Sequence, residues 1–197
     1  MPNLRKEVAR GGLKNSLEMW LVGFRLRKRK SSHASNGTPD PGIETGNDGM
    51  PAQAGLTALL NTGEVNQLLK KVYPQLNEQF DFYHAVDVFA GGCTVRLNAD
   101  ERHLRPGGTV SGPSLFTLAD IGGYVCVLSH AGPDALSVTT SLNINFVRKA
   151  EAGPVDGHCR ILKLGKSLMV FDIDIVADGQ TVAHATGTYS IPPKRAL

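Results

Sequence analysis

The 197-residue sequence contains no apolar run of 18 residues, only three cysteines and no C-x-x-C pair. The lack of such an apolar run excludes a transmembrane helix. The odd number of cysteines and the lack of a C-x-x-C pair argue against a disulfide framework and against a zinc site. They favour a reducing compartment, so we expect a cytoplasmic protein. The cysteines, Cys93, Cys126 and Cys159, are evenly spaced but share no flanking residues, which indicates no internal repeat.

Charge is distributed unevenly along the chain. The net charge is +3, but residues 1–30 carry nine basic and two acidic side chains, so residues 31–197 have a net charge of −4. Proteins that bind nucleic acid present a basic face in the folded domain itself. The charge distribution therefore predicts no nucleic-acid partner.

Residues 1–49 are expected to precede the folded domain. Residues 13–26 place apolar side chains at helical spacing between basic clusters, whereas residues 31–49 are rich in Ser, Gly, Pro, Asn and Asp and indicate a disordered linker. Two interpretations of the basic leader stay open: an interfacial helix on a membrane surface, or a non-native leader translated from upstream of a start at Met50. We expect the folded domain over residues 50–197.

The pattern after the linker predicts a short helix, a long helix and six strands. The short amphipathic helix is expected to begin with a cap at Thr62 and to end before Pro74, and the long helix covers residues 111–130. The predicted strands cover residues 83–89, 93–98, 136–147, 155–164, 168–176 and 181–191. One long helix followed by a run of antiparallel strands is an α+β arrangement, not a βαβ series.

The glycine-rich stretch 107–114 matches no nucleotide-binding or serine-nucleophile motif. Pro113 stands where a phosphate-binding loop needs lysine, and neither a G-x-G-x-x-G in a βαβ unit nor a G-x-S-x-G is present. The stretch instead predicts a helix start with Ser111 as N-cap. The N–H groups of Gly112 and Ser114 would then be able to stabilise an anion or an oxyanion, although an ordinary capped helix explains the same residues.

Asp120 is the only charged side chain inside the long helix before His130. The helix is apolar around its whole circumference, which predicts burial, and a buried carboxylate needs partners or water. A functional carboxylate and a structural hydrogen bond or ion pair both stay open. Asp120 lies about 12 Å along the helix axis from Gly112, so the two would meet around one small group only if a second chain supplied one of them.

The segment from His103 through Asp120 to Lys149 resembles the hotdog-fold acyl-CoA thioesterases of the phenylacetate-degradation (PaaI-like) type. Their signature is a histidine, a glycine-rich loop and a His-Gly-Gly that opens the central helix. An acidic residue follows eight positions after the first of those glycines, and Gly112 and Asp120 match this spacing. The resemblance covers roughly residues 60–192.

The strands after the helix carry the resemblance further, and the start of the helix departs from it. The stretches TTSLNINFVRKA (139–150) and ILKLGKSLMVFDIDI (161–175) look like the family's next strand and hairpin. Ser111 replaces the histidine of the motif, Pro113 replaces its second glycine, and Arg105 stands where relatives often carry asparagine. These departures weaken what the resemblance implies about rate and substrate, but not about fold.

The resemblance implies a hotdog fold, with a five- or six-stranded antiparallel sheet wrapped around the long helix. It also implies a homodimer or homotetramer with active sites between subunits. The Gly112 N–H would polarise the thioester carbonyl of an acyl-CoA across the interface, Asp120 would be the general base or the nucleophile, and Thr139 would help to hold the water. No metal or redox cofactor is implied.

Coenzyme A carries phosphates, which need cations. If the chain follows the family's layout, Arg148, Lys149 and Lys166 are candidates, and Arg105 and Ser111 would lie near the thioester. Solvated surface charge is the alternative for each cation.

Two other functions stay open. One is a non-catalytic acyl-thioester binding protein in which Ser111 and Pro113 mark lost chemistry. The other is a hotdog enoyl-CoA hydratase, which would need a histidine near Asp120 that the loop 104–119 does not contain.

Overall fold

The computed structural model describes residues 55–77, 81–133 and 136–193. The basic leader, the predicted linker and Met50 lie outside this part of the chain, so the expectations for residues 1–49 stay predictions. Within the described ranges the helices are α1 (Thr62–Val72) and α2 (Gly112–His130), with 3-10 turns at Pro74–Leu76 and Glu101–His103. The strands are β1 (Tyr83–Phe89), β2 (Gly92–Ala99), β3 (Leu104–Arg105), β4 (Thr109–Val110), β5 (Val138–Phe146), β6 (Gly153–Leu164), β7 (Leu168–Ala177) and β8 (Gln180–Ser190).

Six of the strands form one antiparallel sheet in the order β1-β2-β6-β7-β8-β5, and β3 and β4 form a separate small hairpin. The long helix α2 packs on one face of the six-stranded sheet, against β2, β6, β7 and β8. The predicted α+β architecture is confirmed. No helix in the described ranges has the length and apolarity needed to span a bilayer.

The cap of α1 is one residue earlier than the sequence predicts. Asn61 Oδ1 accepts a hydrogen bond from the Glu64 N–H at 3.0 Å, and the Asn61 N–H donates to Glu64 Oε2 at 2.8 Å. This reciprocal pair is a capping box, which an asparagine and a glutamate three residues apart can form. Thr62 is therefore the first residue of the helix, and the helix ends before Pro74 as expected.

Two tight turns join neighbouring strands of the sheet. Asp178 and Gly179 both have positive φ, +50° and +70°, and form the tight turn between β7 and β8 that an Asp-Gly pair predicts. The turn between β1 and β2 consists of Ala90 and Gly91. Gly92 already belongs to β2, where a Cβ would lie 2.5 Å from the carbonyl oxygen of Cys159.

Two glycines in the middle of α2 allow the helix to lie close to the sheet. A Cβ at Gly122 would lie 2.5 Å from Ile173 Cδ1, and one at Gly123 would lie 2.5 Å from Phe171 Cζ. Both positions are therefore occupied by the side chains of β7. This close packing fixes the position of α2 on the sheet.

Candidate active site

Asp120 lies in the middle of α2, half-buried, on a helix whose other residues are mostly apolar. Its Oδ1 accepts two side-chain hydrogen bonds, from Thr139 Oγ1 at 2.6 Å and from Tyr189 Oη at 2.8 Å. Its Oδ2 accepts no hydrogen bond from the residues that the structure describes. One oxygen of the carboxylate is thus held in place, and the other is available to a water molecule or a substrate.

Tyr189 was not among the residues singled out in the sequence. It lies on the inner face of β8 with 2% of its surface exposed, and its ring packs against Phe171. Burial, together with the negative charge of Asp120, raises the pKa of Tyr189 well above its usual range. The phenol therefore stays protonated and acts as a donor to the carboxylate. The sequence offered one signal for this role of Tyr189. It is a tyrosine at an inward-facing position of an alternating strand, and the hydroxyl of a buried tyrosine needs a hydrogen-bond partner.

Thr139 approaches Asp120 from the edge of the sheet. It lies at the start of β5, opposite Tyr189 in β8, and the register between the two strands slips just after it. The pairing explains why both hydroxyls reach the same carboxylate oxygen. Thr139 is itself exposed, so this side of the carboxylate opens to the surface of the single chain.

The start of α2 has the capped geometry that the sequence predicts. Ser111 Oγ accepts from the Ser114 N–H at 3.3 Å and contacts Ser114 Oγ at 2.8 Å. Pro113 sits in the first turn, where its missing N–H leaves no helical hydrogen bond unmade. No acceptor in the described residues contacts the Gly112 N–H, and the ring of Phe146 lies beside it, with Cζ 3.3 Å from where a Cβ would be. This N–H remains free to polarise a carbonyl.

The end of the fold where α2 begins carries Arg105 and two of the three candidate phosphate-binding cations, Arg148 and Lys149. The Val110 N–H donates to the Ala150 carbonyl at 2.8 Å, which joins the loop that carries Arg105 to the segment that carries Arg148 and Lys149. All three side chains are exposed, and Arg148 Nη1 donates to the Thr181 carbonyl at 2.9 Å.

Lys166 lies elsewhere. It is in the turn between β6 and β7, on the rim of an apolar cavity that Ala131 and Ser137 also line. Ala131 follows the last residue of α2, so Lys166 is at the opposite end of the helix from the other candidates. One chain therefore does not gather Arg148, Lys149 and Lys166 around one phosphate group.

The same separation applies to Asp120 and Gly112. Eight helical residues separate them by about 12 Å, so the free N–H and the open carboxylate oxygen of one chain do not face one small group. No group of possible metal ligands lies around Asp120 within the described ranges. The only group of possible metal ligands in those ranges consists of the three cysteines between α2 and the sheet.

Comparison with known proteins identifies the family. Residues 107–184 match the sequence model of the thioesterase superfamily. A Pseudomonas aeruginosa protein, named as a proposed esterase, is 35% identical over 136 residues, which are 68% of this chain and 100% of that protein. The chain belongs to the thioesterase superfamily. The matched region contains Gly112, Asp120 and Thr139, together with the loop before α2.

Solved structures of superfamily members have the same fold. A protein of Silicibacter sp. TM1040, provisionally named a thioesterase, is 44% identical, with a TM-score of 0.64 over 71% of this chain and 97% of that one. A phenylacetic acid degradation-related protein of Ralstonia eutropha JMP134, also provisionally named a thioesterase, is 25% identical, with a TM-score of 0.57 over 64% of this chain and 100% of its own. The fold is the hotdog fold, and the chain is a thioester hydrolase.

Proposed function

We propose that this thioester hydrolase cleaves acyl-CoA to the free acid and CoA, with Asp120 as general base or nucleophile. The observation that supports this most directly is the asymmetry of the Asp120 carboxylate. Two hydroxyls, of Thr139 and Tyr189, fix Oδ1, whereas Oδ2 is open. A carboxylate held in this way can direct its free oxygen at a water molecule or at a thioester carbon.

Two routes are compatible with this arrangement. As a base, Oδ2 takes a proton from water while the water oxygen attacks the carbonyl carbon, after which the C–S bond breaks and the CoA sulfur leaves as the thiol. As a nucleophile, Oδ2 attacks the carbonyl carbon itself, the C–S bond breaks and the CoA sulfur leaves, so that a mixed anhydride remains. Water then attacks Cγ of Asp120 in this anhydride, which releases the acid and restores the carboxylate. A single turnover in ¹⁸O-labelled water distinguishes them. The base route puts one labelled oxygen into the acid, whereas the nucleophilic route releases a first acid without label, because its second oxygen comes from Asp120.

The carbonyl needs a donor that the same chain does not supply at Asp120. We assign it to the N–H of Gly112 of the partner subunit in a homodimer or homotetramer. The edge strand β5 favours association on this side, because Val138 and Phe146 are 57% and 53% exposed beside the candidate site. A second copy of the chain would cover these side chains and bring a second helix start toward Asp120.

The anionic cofactor part of the substrate is expected at the end of the fold where α2 begins. Arg105, Arg148 and Lys149 are exposed there and lie on segments joined by backbone hydrogen bonds. Since residues 31–197 have a net charge of −4, attraction for the CoA phosphates must come from such local cations. Lys166 lies at the opposite end of α2, so the Lys166 that binds these phosphates would have to belong to a neighbouring chain. We place the enzyme in the cytoplasm, where three unpaired thiols stay reduced.

Thiol release from a panel of aryl, short-chain and medium-chain acyl-CoAs tests the proposed activity, with the Asp120→Asn variant as its companion. The proposal requires release of CoA by the native chain and its loss in the variant. Tight binding of acyl-CoA with no thiol released would overturn it in favour of the non-catalytic binding protein.

Mixing of variants tests whether two chains share one site. Gly112→Pro removes the N–H, and Asp120→Asn removes the carboxylate, so each variant alone should be inactive. When the two are mixed and allowed to exchange subunits, about a quarter of the native activity should return, because half of the dimers contain one intact site. Gly112→Ala keeps the N–H and is the matched control for the bulk added beside Phe146. No recovery in demonstrably mixed dimers would contradict a shared site.

A further inference from the structure

Three cysteines that are far apart in the sequence converge between α2 and the sheet. Cys93 lies on β2, Cys159 lies opposite it on β6, and Cys126 lies on α2. All three side chains are 0% exposed. Their Sγ atoms lie within 4.8 Å of one another, and those of Cys93 and Cys126 are 3.4 Å apart. No disulfide joins them, so the cluster consists of three free thiols.

The sulfur separations fit a single three-coordinate centre. A centre bonded to three sulfurs at about 2.3 Å needs sulfur separations of about 4 Å if it lies in their plane, and somewhat less if it lies above the plane. The observed spacing therefore needs only small side-chain rotations to close on such a centre.

Among the described residues, no fourth His, Cys, Asp or Glu side chain belongs to the cluster. The imidazole of His130 lies one turn along α2 from Cys126, and both its nitrogens already have partners. Nδ1 contacts the Cys126 carbonyl at 3.1 Å, and Nε2 accepts from the Gly91 N–H at 3.1 Å. Structural zinc sites are almost always four-coordinate, so this donor set does not fit zinc well.

Charge narrows the choice of occupant further. Three thiolates around a divalent ion carry a net charge of −1, and around a monovalent ion −2, whereas a trivalent centre leaves the site neutral. Ile173 and Val95 are fully buried and lie with Cys159 around Gly122. An unpaired charge in such an apolar place is costly. Only the neutral trivalent complex avoids this cost.

We propose that Cys93, Cys126 and Cys159 form a binding site for one trivalent thiophilic metalloid, of which arsenous acid is the simplest form. In the binding step, three S–H and three As–O bonds break, and three As–S bonds form. The three thiol protons leave with the three hydroxyl groups as three molecules of water. Nothing is oxidised or reduced, and no charge enters the core.

The cluster is closed to solvent in the native state, since all three cysteines are fully buried between α2 and the sheet. Because all three sulfurs are enclosed, entry requires α2 to move away from β2 and β6, so binding should be slow in the native state and should stabilise it once complete.

The site is separate from the proposed hydrolytic chemistry. Cys126 lies about 120° around the helix from Asp120, on the side that faces the sheet. We therefore expect the arsenic-loaded enzyme to keep its thioester turnover, and this inference does not depend on the proposed substrate.

Mass spectrometry under non-denaturing conditions tests the site directly, because the chain contains no other cysteine. Incubation of the full chain with arsenite should give one adduct, whose mass corresponds to one arsenic gained and three hydrogens lost. An adduct that keeps a hydroxyl group on arsenic has bonded only two sulfurs. That result, or no adduct after prolonged incubation, would overturn the proposal.

Alanine variants of each cysteine, taken singly, provide the second measurement. Each should weaken arsenite binding by about tenfold or more, because one As–S bond is lost. Phenylarsine oxide can bond only two sulfurs, so it is the matched probe that should retain binding to variants that keep a close pair of thiols. Circular dichroism confirms that each variant is folded. Equal arsenite affinity in the native chain and in all three folded variants would contradict a three-sulfur site, as would tighter binding of Zn²⁺ than of arsenite to the native chain.

Discussion

The two sides of α2 differ in how completely the chain covers them. Toward β7, Gly122 and Gly123 bring the helix so close to the sheet that Ile173 and Phe171 leave no room for a methyl group. Toward β5, Thr139 is exposed, and one oxygen of Asp120 has no partner among the described residues. The closed side specifies the fold, and the open side carries the carboxylate that we propose to be reactive. Substitutions on the two sides should therefore affect different properties.

The largest effect is expected on the open side. Asp120→Asn should lower kcat/KM for thioester hydrolysis by about 10²- to 10⁴-fold, because the base or nucleophile is lost. The amide oxygen can still accept from Thr139 and Tyr189, so the melting temperature should change little. Asp178→Asn is the matched control, since Asp178 lies in a tight turn with a positive φ that asparagine tolerates. Equal losses in the two variants would refute the assignment.

The next largest effect is expected on the closed side. A Cβ at Gly123 would lie 2.5 Å from Phe171 Cζ and 2.8 Å from Tyr189 Cε2, so Gly123→Ala should lower the free energy of unfolding by about 1–3 kcal/mol. Urea denaturation measures this change. Gly165→Ala is the control, because a Cβ there would meet only the Leu168 carbonyl oxygen at an ordinary 3.4 Å. An unchanged unfolding midpoint for Gly123→Ala would show that the packing is not as tight as the distances indicate.

Tyr189 connects the two sides, because its ring belongs to the core and its hydroxyl reaches Asp120. Tyr189→Phe keeps the ring and removes the hydrogen bond. We expect kcat/KM to fall by about tenfold, which corresponds to one hydrogen bond to a charged group. Thr139→Val removes the other hydroxyl with little change in volume and should have an effect of similar size. Steady-state kinetics of both single variants and of the double variant would show whether the two hydroxyls act as a unit. Native values of kcat/KM in both single variants would exclude a role of these hydroxyls in positioning Asp120.

The smallest effect on the chain itself is expected at the exposed edge. Val138→Lys places a charge on β5, where 57% of the valine is already exposed, so the free energy of unfolding should change by no more than about 0.5 kcal/mol. Association should weaken, because lysine on an edge strand opposes pairing with another chain. Val86→Lys on β1, at the other edge of the same sheet, is the control. If sedimentation velocity shows dissociation in the control but not in Val138→Lys, the interface lies at the other edge.

The features that could be predicted from the sequence are those determined by residues close to one another along the chain. Periodicity located both helices and the six strands of the main sheet to within about two residues. The α1 cap was misplaced by one residue because Asn61 and Thr62 are both good caps, and only the glutamate partner decides between them. The two-residue strands β3 and β4 were missed because such short segments have no period.

The parts that could not be predicted depend on strand order. Tyr189 meets Asp120 only because β8 lies between β7 and β5, and the three thiols meet only because β6 lies beside β2. Neither relation is visible in a local pattern. The separation of Gly112 and Asp120, by contrast, depends on the helix alone, which places them about 12 Å apart along its axis.

The cysteine cluster also has a consequence for the folding kinetics. Cys93 comes from the hairpin before α2, Cys126 from the helix, and Cys159 from the strands after it. The pairing of β2 with β6 closes a long stretch of chain, and contacts of this kind tend to form late. Protection of the three thiols from a pulse of alkylating reagent during refolding should therefore mark the moment at which the two halves of the sheet join.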